Sequence, residues 1–369
     1  HTASRPDGRG VGLPSGPGDG LTVGASTSGV TPLDAARRVL WALGLVVVTA
    51  PWNGLAAQGR TDAVIVAGLG GQAQYSESFH AEASAIYDAL IEKHGLAPEN
   101  VTYLGERVET DPGRISMRST RANVLQVLGE IAQKAQPLDR LFVVLIGHGT
   151  VGREEPQLNL PGPDLVPSDF ERGLAAFPTQ TLALVHTGTA SGGFIRSLSG
   201  PNRILIAATS TERQLNATEF GQFFAQAIAG DGTDLDKDER VSLLEAFLYT
   251  RQEVARLYEE ENEILTETAV LDDNGDGSAS PDAAQDGADG PLAATFHLGG
   301  ISGTAGQTPD DPVLARLYEE RAEIQSRIDG LRASRSALSE DQYLDRLEPI
   351  LIELALKNRE IREREGGSG

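Results

Sequence analysis

Residues 141–149 read Leu-Phe-Val-Val-Leu-Ile-Gly-His-Gly, an apolar run that ends directly in a histidine flanked by glycines. Strands this apolar are typically buried on both faces of a sheet. Helical periodicity separates most of the apolar runs in this part of the chain, and strands joined by helices form parallel sheets. The sequence therefore predicts an α/β fold, with a doubly wound, mostly parallel sheet and helices on both faces, over residues 58–230. The other predicted strands are residues 63–67, 101–104, 181–185 and 204–208.

The composition excludes several classes of function. The 369 residues include no Cys, which excludes disulfides, thiolate metal sites and a thiol nucleophile. Asp and Glu number 53 against 31 Lys and Arg, giving a net charge of −22. This charge repels a phosphate backbone, so we expect no nucleic-acid partner and favour cations as ligands. The acid is concentrated in residues 231–290, which hold 18 acidic residues against four basic ones.

The N-terminal part of the chain has the composition of an extension and an export signal. Residues 1–35 are rich in Gly, Ser, Pro and Thr and predict a disordered extension. Within residues 36–57, two arginines precede an apolar run at 39–50, and small residues follow it. This pattern predicts a secretory signal peptide cleaved near Ala57, and an extracytoplasmic mature protein (periplasmic or secreted) without a stable membrane span. An N-terminal anchor or a buried helix is the alternative.

Two predicted strand ends carry the residues of a candidate active site. Residues 141–146 lead into His148-Gly149, and residues 181–185 lead into Thr189-Ala190-Ser191-Gly192. In parallel sheets the chemistry gathers at such carboxyl ends. Together with Ala-Ala-Thr-Ser at 207–210, these residues resemble the legumain peptidases and, more remotely, the caspases and metacaspases, over roughly residues 62–228. The resemblance implies a caspase-like fold, His148 as the general base or acid of a dyad, Gly149 as an oxyanion donor, and the nucleophile at the position of Thr189.

The nucleophile position departs from the family pattern. Legumain-like enzymes have Cys in a Cys-x-Ser-Gly pattern, whereas Thr189 occupies that position here. An alcohol is scarcely ionised without a strong, positioned base. The sequence therefore predicts a catalytically inactive peptidase homologue that acts in binding or assembly, with a peptide or protein partner that it does not identify. The alternative is an active hydrolase that uses Thr189 or Ser191 with His148.

The segment 231–266 contains a second candidate site, whose spacing matches an EF-hand loop. Glu239 occupies the position where Gly normally makes the sharp turn. The spacing predicts a calcium-binding loop followed by a helix, and an acidic solvated loop is the alternative. The six predicted ligands are Asp234, Asp236, Asp238, the backbone carbonyl of Arg240, Ser242 and Glu245.

The remaining sequence predicts a linker and a helical arm. Residues 272–277, Asp-Asp-Asn-Gly-Asp-Gly, repeat the first half of the EF-hand pattern, but Ala283 stands where the last ligand belongs. We therefore interpret residues 267–311 as a flexible acidic linker, with weak cation binding as the alternative. Apolar residues at helical spacing in 312–369 predict an antiparallel helical hairpin or short coiled coil that could support self-association.

Overall fold

The computed structural model describes residues 59–230, 233–235, 240–299, 311–333 and 339–366. The predicted N-terminal extension and signal peptide lie outside these residues, as do Asp236 and Asp238 of the predicted calcium loop. Within the described ranges, no helix has the length and apolar character that crossing a membrane requires.

The described residues form nine strands, and seven of them make one sheet, in the order β3-β2-β1-β4-β7-β8-β9. Neighbouring strands are parallel except at one edge, where β9 runs antiparallel to β8. The other two strands, β5 and β6, form a separate antiparallel hairpin. The strands are β1 (Thr61–Ala67), β2 (Val101–Gly105), β3 (Ile115–Arg118), β4 (Arg140–Ile146), β5 (Gly149–Val151), β6 (Pro156–Leu158), β7 (Thr181–His186), β8 (Arg203–Ala207) and β9 (Val270–Asp272).

Helices cover both faces of the sheet. They are α1 (Ala73–Glu92), α2 (Arg121–Lys134), α3 (Pro167–Leu174), α4 (Ile195–Leu198), α5 (Phe220–Ala229), α6 (Leu243–Glu260), α7 (Pro291–Thr295), α8 (Pro312–Ala333) and α9 (Glu340–Gly366). Successive residues of each strand face opposite sides. Ile65 therefore packs into a core with α1, α5, α6 and α7, while Val64 and Val66 pack into a second core with α2, α3 and α4. The predicted fold class is thus confirmed.

The segment 267–299 differs from the predicted linker. It supplies β9, which completes the sheet through the pairs Leu205↔Asp272, Ile206↔Leu271 and Ala207↔Val270. It also supplies α7, which packs against α6 and whose Ala293 is fully buried in the core. The physical reason is that its large apolar residues Val270, Leu271, Phe296 and Leu298 are buried in the core, so an acidic composition still allows a packed segment.

The C-terminal helices form the predicted hairpin. The ion pairs Arg327–Glu353 and Lys357–Glu320 join residues whose numbers rise on α9 as they fall on α8, so the two helices are antiparallel. Ile324, Ile328 and Leu354 are buried between them. Three large apolar side chains of α9 are about half exposed: Leu344, Ile352 and Leu356.

Candidate functional site

A cleft opens at the carboxyl ends of β4 and β7, where the sequence places the candidate site. One wall is α1, and the opposite wall is the segment that leads into α5. The floor is formed by the two turns that follow β4 and β7. The side chains that matter most for its chemistry are Tyr75, Phe79, Glu82, His148 and Glu219.

The two turns of the floor pack backbone against backbone. A Cβ built on Gly188 would lie 1.6 Å from the carbonyl oxygen of Gly147, and one built on Gly149 would lie 2.1 Å from the carbonyl oxygen of Thr189. No side chain tolerates contacts this short, so both positions require glycine. The glycine after His148 is therefore explained by this close approach, whether or not its N–H takes part in chemistry.

His148 lies half-buried between two aromatic rings. Its ring centroid is 4.5 Å from that of Tyr75 and 5.0 Å from that of Phe79, and both contacts are edge-on. Burial lowers the pKa of His148, so the imidazole is neutral at neutral pH. Its nitrogens form no hydrogen bond with any residue that the structure describes, Thr189 and Ser191 included.

The Thr189 hydroxyl is hydrogen-bonded to the backbone of Gly149. The side chain is 3% exposed. Its hydroxyl donates to the carbonyl oxygen of Gly149 at 2.8 Å and accepts from the N–H of Gly149 at 2.7 Å. The hydroxyl proton of Thr189, which a base would have to remove, is therefore hydrogen-bonded, and so is the Gly149 N–H that was predicted to stabilise an oxyanion.

The Ser191 hydroxyl is hydrogen-bonded to Thr209, just past the end of the next strand, and not to His148. Its hydroxyl is fully buried, accepts from the N–H of Thr209 at 3.0 Å and lies 3.0 Å from the Thr209 hydroxyl. The turn before it passes through Ala190, which has φ 57°. A left-handed conformation at a residue with a Cβ costs about 1–2 kcal/mol, so the surrounding packing imposes this turn.

The second histidine of the region belongs to the core. His186 is fully buried at the end of β7, and its Nδ1 accepts from the N–H of Gly188 at 3.2 Å. Burial lowers its pKa to about 3, so it is a neutral structural residue.

Two carboxyl groups of the cleft were missed by the sequence reasoning. Burial raises the pKa of Glu82 to about 7, and the nearby charge of Glu219 adds to the rise. Burial also raises the pKa of Glu219 itself. Gly221 leaves room for Glu82, since a Cβ there would lie 2.2 Å from a Glu82 carboxyl oxygen. The available signal was the spacing of Tyr75, Phe79 and Glu82, which places all three on one face of α1.

The described part of the predicted calcium loop forms a helix cap. Glu245 Oε2 accepts from the N–H and the hydroxyl of Ser242, both at 2.8 Å, and the Ser242 hydroxyl accepts from the Glu245 N–H. This is a capping box at the start of α6, so the Ser242 and Glu245 spacing has a structural explanation that the sequence reading did not consider. Glu245 Oε1 accepts from the N–H of Leu235 at 2.9 Å, which brings the two ends of the loop together. The residues that the structure describes include no group of three or more His, Asp or Glu side chains arranged to hold a metal ion.

Of three comparisons with known proteins, only the search of solved structures finds a similar protein. No family model matches the chain, and no curated protein is similar to it in sequence. Among solved structures, the Drosophila initiator caspase Dronc is similar to it, with a TM-score of 0.37 and 12% sequence identity over 58% of this chain and 79% of that chain. A similarity at this level does not establish a family, and the fold class follows from the observed strand order.

Proposed function

We propose that this protein is a peptidase-like domain of the legumain and caspase type that binds a peptide or protein without hydrolysing it. The observation that carries the proposal is the pair of hydrogen bonds between the Thr189 hydroxyl and the backbone N–H and C=O of Gly149. A competent alcohol nucleophile needs a base in contact with its proton and free donors for the oxyanion. The chain also has no Cys that could act instead.

The charge of the cleft favours a ligand with a basic side chain. Glu82 and Glu219 face the same space, and each resists ionisation there. A Lys or Arg side chain between them would stabilise both charged forms, because an opposite charge within a few ångströms lowers the pKa of a carboxyl group. The rings of Tyr75 and Phe79 offer apolar contact for the rest of such a side chain.

The absence of hydrolysis is tested with the full chain, a broad peptide library and a covalent probe for serine and threonine nucleophiles. We expect no turnover and no labelling, since general-base assistance contributes only about 10²–10⁴-fold without a competent nucleophile. Turnover that disappears in both Thr189→Ala and His148→Ala would establish the alternative, an active hydrolase.

Binding is tested by titrating arrays of peptides that differ in one basic residue. We expect tighter binding above pH 7 than at pH 6, because Glu82 is ionised only above its raised pKa. Glu82→Gln should weaken binding by about tenfold or more and remove the pH dependence. Glu92→Gln is the matched control, since Glu92 is exposed at the far end of the same helix. Equal affinity for basic and acidic peptides would contradict the assigned ligand class.

We also propose that residues 234–245 bind calcium. The support is the spacing in the sequence, together with the hydrogen bond from the Leu235 N–H to Glu245, which joins the two ends of the loop. Calcium binding to the folded state should raise the melting temperature by mass action. Asp234→Ala should reduce this increase, and an unchanged increase in that variant would remove the proposal.

A further inference from the structure

Four carboxyl groups lie at or beside the turn after β9, and two of them, Asp273 and Asp289, have a structural role. Asp273 accepts from the N–H of Gly290 at 2.8 Å and from the N–H of Ala293 at 2.8 Å, which fixes the start of α7. Asp289 accepts from the N–H of Asp273 at 3.2 Å. These two groups therefore hold the segment together. The other two, Asp272 and Asp276, belong to residues 272–278, which we call the Asp272 loop.

Asp272 has an oxygen that no protein group satisfies. The residue is 1% exposed, and its Oδ1 accepts from the N–H of Gly275 at 3.2 Å. Its Oδ2 is buried and has no hydrogen-bond partner. A buried charged oxygen without a partner is strongly unfavourable, so such groups are usually paired or bind a metal. The bond from Gly275 turns the carboxylate toward the inside of the loop.

Two other polar side chains of the Asp272 loop accept hydrogen bonds from backbone N–H groups of the same loop. Asn274 Oδ1 accepts from the N–H of Asp276 at 2.8 Å, and Asp276 Oδ1 accepts from the N–H of Ser278 at 2.7 Å. A carboxylate offers about four acceptor positions, so each Asp retains capacity for a cation. Among the described residues, no Lys or Arg forms an ion pair with any of the four carboxylates around this turn.

The backbone of the loop has the conformation that a calcium loop needs. Gly277 has φ 74° and stands at the sixth position, where EF-hand loops require glycine. Its N–H donates to the Ser199 hydroxyl at 2.9 Å, so the loop is fixed against the segment before β8. Because β9 is antiparallel to β8, this loop lies at the opposite end of the strands from the His148 cleft.

We propose that the Asp272 loop binds a Ca²⁺ ion through Asp272 Oδ2, Asn274, Asp276 and the Ser278 carbonyl. Ca²⁺ fits this oxygen set better than Mg²⁺, which demands near-ideal octahedral geometry. The two carboxylates are fewer than an EF-hand supplies, and water completes the coordination. The expected dissociation constant is therefore about 10⁻⁴–10⁻³ M, the range of extracellular calcium modules. The ion would fix the edge of the sheet and takes no part in the cleft.

The test is equilibrium dialysis of the full chain with calcium, in the wild type and in an Asp234→Ala background that removes the other proposed loop. Asp276 is exposed, so Asp276→Asn leaves the packing intact. In the Asp234→Ala background we expect Asp276→Asn to weaken calcium binding at least tenfold. In the wild type, where residues 234–245 still bind, we expect it to lower the amount of calcium bound. Asp272→Asn should have the same two effects. Asp286→Asn is the matched control, because Asp286 is an exposed acid of the same segment outside the loop. It should leave the affinity within twofold.

Three results would overturn the proposal. The first is an Asp276→Asn chain that binds as much calcium as the wild type. The second is an equal loss in Asp286→Asn, which would indicate general screening of acidic charge. The third is competition by NaCl or MgCl₂ at the same concentration as calcium, which would mean that the loop does not select Ca²⁺.

Discussion

Replacing Thr189 with Val tests whether its hydroxyl is a structural group. Val has nearly the same shape as Thr, so the change opens no cavity and removes only the two hydrogen bonds with Gly149. Both Gly149 groups are then left buried without this partner, and each unsatisfied group costs about 1–3 kcal/mol. We expect Thr189→Val to lower the free energy of unfolding by about 2–6 kcal/mol, the sum for the two groups. Thr189→Ser keeps both bonds and loses one methyl group, at a cost of about 1 kcal/mol.

The assay is urea denaturation followed by far-UV circular dichroism. With a slope of about 3 kcal/mol per M, the midpoint of Thr189→Val should fall by about 0.7–2 M while the slope stays constant. Thr179→Val is the matched control, because Thr179 is exposed and such surface changes stay within about 0.5 kcal/mol. If Thr189→Val is as stable as this control, Gly149 does not hold the hydroxyl, and the hydroxyl is available to act as a nucleophile.

Gly149→Ala should prevent stable folding, because its Cβ would lie 2.1 Å from the carbonyl oxygen of Thr189. Gly129 lies in open space on α2, so Gly129→Ala should instead stabilise the protein by about 0.5–1 kcal/mol in the same denaturation assay. Burial raises the pKa of Glu82 from 4.5 to about 7, so the folded state holds its proton at pH values where the unfolded state has lost it. The melting temperature should therefore fall as the pH rises from about 4.5 to 7. Glu82→Gln should make this fall smaller. N-terminal sequencing of exported protein should begin just after Ala57, and exported material that still carries the preceding apolar run would contradict the signal peptide. Ile352 is an apolar residue that is 55% exposed on α9, where a second copy of the chain could cover it. Ile352→Glu should therefore shift the sedimentation coefficient of the full chain toward that of a monomer. A wild-type chain that is already monomeric would contradict self-association.

The central part of the fold could be predicted because its strands are defined by local sequence. Residues 63–67 and 141–146 are short, wholly apolar runs rich in β-branched residues, which is typical of a strand covered on both faces. β9 could not be predicted in this way, because it has only three residues and is placed by pairing with β8. Its acidic surroundings favoured a linker, since composition does not show which side chains face the core.

The candidate site was predicted by position but not by its contacts. The strand ends bring His148, Gly149, Thr189 and Ser191 into one region, as parallel topology requires. The direction of each hydroxyl is decided by backbone atoms of other turns, which the sequence does not show. The spacing of Ser242 and Glu245 had two physical explanations, a metal loop and a helix cap, and both place a carboxylate at the same residue.

The pairing of β8 with β9 has a consequence for synthesis of the chain. β8 ends at Ala207, and β9 begins at Val270, about sixty residues later. At about 5–20 residues per second, translation leaves the outer edge of β8 without its neighbour for several seconds. An uncovered apolar strand edge is a template for pairing with another chain. A ribosome that stalls within the acidic segment should therefore release a chain prone to aggregation, whereas release after Asp272 leaves a complete sheet.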